Sequence, residues 1–209
     1  LDINMVGVHR VNRAFLPAMR TQSRGLFINI SSVAGRFGAP FNAIYHASKW
    51  ALEGYSLGLR TELASSGIDL VVIEPGPFTT SIFPSMHHPA DIDGRKDTYP
   101  PIVHEGFGAL LGAFDSMFND PNVPTDPALV VDSIVDPIEM APGTRPFRTG
   151  VGVDFGVKAR NAAVEPFDTA FLAAAGLAQM AKLKIDRLLL CKAKYSTISS
   201  WAYAPTFTS

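Results

Sequence analysis

Leu26-Phe27-Ile28-Asn29-Ile30 and Ile68-Asp69-Leu70-Val71-Val72-Ile73 are two short runs rich in β-formers, and between them Ala43 to Ser65 carries helix formers and no proline. The two apolar runs, set off by Gly25, by Gly67 and by the stop Pro75-Gly76-Pro77, predict buried strands. The middle run draws apolar contacts from Ile44, Ala47, Ala51, Leu52, Leu57, Leu59 and Leu63, which predicts a long helix closed by Gly67. Residues 31–42 contain Gly35, Gly38 and Pro40 and predict a loop. Strand, loop, long helix, strand is the order of a crossover unit in a parallel sheet, so the fold class is α/β.

Outward from this unit, Ile3, Val6, Val11, Phe15 and Met19 recur at roughly helical spacing. They predict a helix over residues 1–20 with apolar residues on both faces, one that Pro17 should end or bend. Residues 81–101 hold several Pro, His, Asp and Gly and predict an irregular segment. Phe107, Leu110, Leu111, Phe114, Met117 and Phe118 restore a helical pattern over 102–118. Thr125-Asp126-Pro127 reads as a capping residue ahead of an early-helix proline, starting a helix that reaches about Met140. Arg145 to Val153 predicts a further strand, and Glu165 to Lys184 a final helix. A single domain is expected over residues 1–186, followed by a tail at 187–209 that mixes a Leu triplet with Ser, Thr and aromatic residues and shows no period.

The balance of 47% hydrophobic against 18% charged residues in a chain of 209 is that of a packed globule and not of a disordered segment. The net charge of −1 gives nothing to draw a polyanion over distance, so no nucleic-acid partner is expected. The single cysteine, Cys191, excludes an intrachain disulfide and a Cys-rich metal site. His87 and His88 lack an acidic or cysteine partner at metal-ligand spacing, and no metal is expected. No apolar run is long enough to cross a bilayer and no leader pattern opens the chain. A cytoplasmic protein with no membrane partner is the expectation.

Chemistry concentrates in Ser31-Ser32-Val33-Ala34-Gly35 and Tyr45-His46-Ala47-Ser48-Lys49. Tyr45 and Lys49 are four apart at the start of the long helix, so their side chains fall on one face about a turn apart. A phenol alone holds its proton too tightly to work near neutral pH, whereas an adjacent ammonium favours the phenolate, which makes Tyr45 a candidate general acid/base. Ser32 follows the carboxyl end of a strand, where open α/β sheets place their ligands, and its hydroxyl could hold a substrate oxygen against the phenol. A Tyr-x-x-x-Lys pair arises by chance roughly once in a few hundred residues, so the surrounding order carries the weight. His46 neighbours Tyr45 but points away from it, and is read as a packing or surface residue.

That order, a strand-end serine thirteen positions before the tyrosine and a following strand that ends in Pro75-Gly76-Pro77-Phe78-Thr79-Thr80, resembles the short-chain dehydrogenase/reductase family. The likeness runs from residue 1 to about 185. It includes Asp2-Ile3-Asn4-Met5-Val6-Gly7, similar to the family's asparagine segment, and Arg145-Pro146-Phe147-Arg148-Thr149-Gly150-Val151-Gly152, similar to a late strand.

The resemblance implies the carboxy-terminal portion of a Rossmann-like, doubly wound parallel sheet and a cofactor, NAD or NADP. It implies that Tyr45 exchanges a proton with the substrate oxygen, Lys49 holds the nicotinamide ribose and lowers the tyrosine pKa, Ser32 orients the carbonyl, and Asn4 holds a water in a relay reaching Lys49. Thr80 would help bind the nicotinamide carboxamide or a cofactor phosphate, with Pro75 and Gly76 shaping that contact. Apart from the resemblance, Asn4 reads as a solvent-facing helix residue. The implied partner is a small-molecule carbonyl or alcohol, apolar and fairly bulky if the Phe and Met residues between Phe83 and Phe118 cover it. A homo-oligomer through helices 1–20 and 43–65 is also implied.

The family's glycine-rich strand–turn–helix, which grips the nucleotide, does not precede Leu1, and neither Gly106-Phe-Gly108 nor Gly150-Val-Gly152 supplies it. With Leu in place of Met at the start, the sequence is expected to begin inside a longer reading frame, as an incomplete Rossmann-like domain. The competing readings are a non-catalytic interaction module presenting an exposed sheet edge, and an esterase using Ser32. The esterase lacks a Gly-x-Ser-x-Gly elbow and a His-acid pair.

Overall fold

The computed structural model describes residues 1–185 apart from positions 83, 84, 86, 88 and 89, so the expected tail at 187–209 lies outside the described residues. Three parallel strands, β1 (Gly25–Ile30), β2 (Ile68–Pro75) and β3 (Arg148–Val151), lie side by side in the order β1-β2-β3. Gly25 pairs with Ile68 and Ile30 with Ile73 at the two ends of one ladder, and Val72 with Arg148 opens the other. Every residue of β2 from Ile68 to Glu74 is buried, as a central strand covered on both faces requires.

The two faces have separate cores. On one, Phe27, Leu70 and Val72 meet Leu63 of α2 (Ala43–Ala64), with Leu16 and Met19 of α1 (Val8–Gln22) packed against them. On the other, Ile73, Phe78 and Val151 meet Val130 and Ile134 of α5 (Ala128–Glu139). Burying about 25 cal/mol per Å2 of apolar surface on both faces is what holds a sheet of this kind closed. The architecture is α/β with helices on both faces of a parallel sheet, as expected.

Several boundaries differ from the sequence reading. Residues Asp2–Gly7 form a π-helical turn ahead of α1, and α1 runs through Pro17 to Gln22. Proline removes one helical hydrogen bond, but Arg13 and Pro17 both face solvent, where water replaces it. The loop after β1 contains a short 3-10 turn, Val33–Gly35, and the irregular 81–101 stretch contains α3 (Ile92–Arg95) followed by a 3-10 turn at Lys96–Thr98. The next helix, α4 (Pro101–Asn119), matches expectation and has no buried residue.

Within Thr125-Asp126-Pro127 it is Asp126 that makes the side-chain bond at the start of α5. Asp126 Oδ1 accepts from Ala128 N at 2.9 Å, while Thr125 is buried and bonded to Thr79 through both hydroxyl and backbone. The last strand is shorter than 145–153, and α6 spans Val157–Ala174 instead of 165–184. Asp154 explains the earlier start, because its carboxylate accepts from Gly156 N at 3.0 Å and Lys158 N at 3.1 Å, satisfying orphan donors of the first turn.

Two polar clusters fix the layers. Asn12 of α1 donates to Asn29 of β1 at 3.3 Å, and Asn29 donates to Ser56 of α2 at 2.9 Å, all three buried. Where β2 begins, Asp69 faces Arg60 of α2 at 3.5 Å and Arg145 at 3.4 Å, and Arg145 also donates to the carbonyls of Pro137 and Met140 at the end of α5.

Candidate active site

At the carboxyl end of β1 the chain turns into Ser31 and Ser32, and α2 starts its climb back along the sheet beside that turn. Gly35 is the point of contact, since a Cβ there would stand 3.0 Å from Glu53 Cγ and 3.1 Å from Lys49 O. Lys49, half-buried on α2, donates from Nζ to Ile30 O at 3.1 Å, which ties it to the strand end. The same Nζ lies 5.9 Å from the centroid of the Tyr45 ring. The one-face prediction for Tyr45 and Lys49 is therefore realised, and both stand at the strand end that carries Ser32. Burial lowers the Lys49 ammonium below its ordinary value, and the Glu53 carboxylate opposes that shift.

Tyr45 is 43% exposed, so its phenol is open to a ligand. Ser32 is buried; its hydroxyl accepts from Ala34 N at 3.1 Å and donates to Pro75 O at 3.3 Å. Among the described residues no hydrogen bond joins Ser32 to Tyr45. His46 is buried and its Nδ1 lies 2.9 Å from Ala34 O, a packing role in line with the sequence reading.

Asn4 is half-buried and not the solvent-facing residue its sequence context alone would give. Its Nδ2 donates to Ser48 Oγ at 3.0 Å, and Ser48 Oγ donates to Tyr45 O at 2.7 Å. Asn4 is thus tied to the helix turn between Tyr45 and Lys49, with no direct hydrogen bond to Lys49. Pro75 ends β2, and Gly76 N donates to Val151 O at 2.9 Å. A Cβ at Gly76 would stand 2.1 Å from Val153 O, so only glycine lets the strands approach this closely. Thr80 is exposed, accepts weakly from Ile82 N at 3.4 Å, and is not joined by hydrogen bonds to Ser32, Tyr45 or Lys49.

Sequence reading missed Phe41. It adopts a positive φ of 71°, sparsely populated for a bulky side chain, and packs against Phe107 of α4 with ring centroids 5.4 Å apart. With Asn42, Ala43, Ile44 and Tyr45 it lines an open cleft of about 430 Å3. The irregular stretch before the helix gave no pattern from which this conformation could be read. Ser48 was also missed, though its place three residues after Tyr45 puts it on the same helix face.

A family model described as short chain dehydrogenase matches residues 1–90, the segment that holds Asn4, Ser32, Tyr45, Lys49, Pro75, Gly76 and Thr80. Over this segment the chain is similar to the short-chain dehydrogenase/reductase family. Human retinol dehydrogenase 8 is 34% identical over 145 residues, which is 69% of this chain and 45% of that protein. Human 17-beta-hydroxysteroid dehydrogenase type 1 is 39% identical over 100 residues, 47% of this chain and 30% of that protein. In structure, a short-chain dehydrogenase from Streptomyces avermitilis superposes with a TM-score of 0.57 at 25% identity, covering 83% of this chain and 58% of that one. A short chain dehydrogenase from Burkholderia cenocepacia, solved in complex with NADP, superposes at 0.50 and 20% identity, a likeness of fold, covering 82% of this chain and 55% of that one. The chain thus spans between about a third and somewhat over half of these relatives. No helix of the described residues is long and apolar enough to cross a membrane.

Proposed function

We propose that this chain carries the proton-transfer and substrate-facing part of an NAD- or NADP-dependent oxidoreductase interconverting an alcohol and a ketone or aldehyde. The observation that carries the reading is the gathering of Tyr45, Lys49 and Ser32 at the carboxyl end of β1, with the phenol open and the ammonium anchored on the Ile30 carbonyl. The donor set fits the cofactor. Lys49 has three N–H groups and spends one on Ile30 O, leaving donors for ribose hydroxyls. A bound nicotinamide nucleotide supplies hydride to the carbonyl carbon, or accepts it from the alcohol.

In the reducing direction Tyr45 Oη gives its proton to the carbonyl oxygen, and in the oxidising direction it takes the proton of the alcohol. Lys49 holds positive charge beside the phenol, where it stabilises the phenolate left after transfer. Ser32 Oγ gives up its long 3.3 Å bond to Pro75 O to hold the substrate oxygen in line with the phenol. Asn4 steadies the turn from Tyr45 to Lys49 through Ser48 and holds a water on the path to Lys49. Pro75, Gly76 and Thr80 border the nicotinamide. The substrate is apolar and fairly bulky: Phe41 and Ile44 line the cleft with Tyr45, Phe107 packs on Phe41, and Ile102 and Leu111 of α4 are exposed on the same helix as Phe107. The names of the two human relatives, a hydroxysteroid and a retinol dehydrogenase, agree with this. A cytoplasmic location belongs to the same proposal.

The test is a titration of NADH and NADPH, followed by nicotinamide fluorescence, into the chain alone and into the chain extended by an upstream glycine-rich strand–turn–helix. Ketone-dependent oxidation of the nucleotide is then assayed with steroidal and retinoid carbonyls. Tyr45→Phe is expected to retain nucleotide binding and lose turnover by about 100- to 10,000-fold, the range for a removed general acid. Lys49→Ala is expected to weaken both. Undiminished turnover in Tyr45→Phe would sink the assignment of the acid. Among the described residues β1 pairs with β2 alone, which favours the interaction module as the second reading, and that reading gains if neither protein binds nucleotide.

A further inference from the structure

One turn beyond Lys49, α2 buries Glu53, 2% exposed, beside Glu74 of β2, 0% exposed. The charged and polar groups around this pair are Arg36 from the loop after β1, Lys49 from α2 itself, Arg148 from β3 and Asn161 from α6. Arg148 Nε donates to Glu53 Oε2 at 2.9 Å and stands 3.8 Å from Glu74 Oε1. Arg36 Nε donates to Asn161 Oδ1 at 2.7 Å and stands 3.9 Å from Glu74 Oε1. Asn161 Nδ2 in turn donates to Glu74 Oε2 at 2.6 Å. Glu53 Oε1, Glu74 Oε1 and Ser31 Oγ are buried without a hydrogen-bond partner among the described residues.

Two carboxylates and two guanidiniums balance on paper, yet the pairing is not that of an interior strut. A structural ion pair of this kind directs guanidinium forks at both carboxylate oxygens. Here the direct donor to Glu74 is a neutral amide, and neither guanidinium forms a hydrogen bond to it. Burial and the Glu53 charge push the Glu74 carboxyl up to about 7. Each of the two carboxylates keeps one buried oxygen without a hydrogen bond among the described residues, and the Glu53 charge is one of the causes that favour the protonated form of Glu74.

We propose that Glu53, backed by Glu74 and Arg148, is a positioning residue for the Lys49 ammonium: its buried carboxylate, one helical turn behind Lys49, holds that ammonium charged, and the negative field behind Lys49 varies with the proton on Glu74. The proposal rests on the reading of Lys49 as the cation of the proton-transfer site and adds the group that sets its charge. Loss of the Glu74 proton to solvent strengthens the negative field behind Lys49, and uptake weakens it.

The experiment is an NMR titration of the 209-residue chain from about pH 5 to about pH 11, spanning the carboxyl and ammonium ranges. It follows the Lys49 side-chain resonance, assigned with Lys49→Arg, and the Glu53 and Glu74 carboxyl carbons, assigned with Glu53→Gln and Glu74→Gln. In Glu53→Gln with an unchanged circular dichroism spectrum, the Lys49 midpoint is expected to fall by about half a unit or more, since a neighbouring opposite charge is removed. In the native chain the Lys49 resonance is expected to carry a second inflection where Glu74 titrates, and Glu74→Gln to remove it. A folded Glu53→Gln with an unmoved Lys49 midpoint overturns the proposal. If that variant does not fold, a native Lys49 trace with no inflection at the Glu74 titration overturns it by itself. No nucleotide or substrate is present in this measurement, so its failure leaves the oxidoreductase reading standing, and failure of nucleotide binding leaves this result intact.

Discussion

Glu74 closes an apolar strand in the sequence, a position where a charged residue ordinarily marks the exit to solvent. In the fold it is fully buried, because Arg36, Arg148 and Asn161 converge on it from three other parts of the chain. Its carboxyl titrates near 7 in the folded chain against an ordinary 4.5. Between these values the folded state keeps a proton that the unfolded state has shed, so stability falls as pH rises from about 4.5 to about 7 and the contribution is flat beyond. At about 1.4 kcal/mol per unit the loss reaches up to about 3 kcal/mol. Urea unfolding at both ends of that window is expected to show Glu74→Gln lacking this slope, and equal slopes in native and variant chains would place the titration elsewhere. Tyr45, Lys49 and Ser32 were legible because helical periodicity and strand-end position are local properties. The Asn4 contact with Ser48 was not, since it joins positions 44 apart.

At the scale of elements, the strand–loop–helix–strand unit was read almost to the residue. The errors fell elsewhere: at the termini of α1 and α6, where a proline was overweighted and an aspartate overlooked, at both ends of β3, and in the irregular 81–101 stretch, which holds α3. Two glycines test how tightly the elements are joined. At Gly76 an added methyl would meet the Val153 carbonyl, which belongs to backbone and cannot swing aside. Gly76→Ala is therefore expected to cost about 1–3 kcal/mol, the range for overpacking, with a lower urea midpoint and weaker β2–β3 pairing by amide exchange. Gly54 is an exposed residue inside α2 with nothing within 4 Å of an added Cβ. Gly54→Ala is expected to stabilise by about 0.5–1 kcal/mol through helix propensity alone. A midpoint for Gly54→Ala below that of the native chain would show that α2 packs differently from the description given.

For the molecule as a whole, apolar side chains remain exposed on the two helices that the resemblance assigns to self-association: Ile3, Val11 and Phe15 around α1, and Ile44 on α2. We propose that this surface is covered by a second copy. Val11→Glu with Phe15→Glu is expected to shift sedimentation velocity toward the monomer with a stability change under about 1 kcal/mol, as for surface positions. An unchanged sedimentation coefficient would remove α1 from the interface. The sequence by itself determined the α/β class, the parallel crossover, the order of the elements and the shared face of Tyr45 and Lys49, because each follows from periods of 2 and 3.6 and from turn residues acting over a few positions. The tertiary structure alone decided that Glu53 and Glu74 are buried beside Arg36, Arg148 and Asn161, that Asn4 reaches α2, and that Phe41 meets α4. Each of these depends on which distant segments the closing sheet brings within hydrogen-bond or van der Waals range.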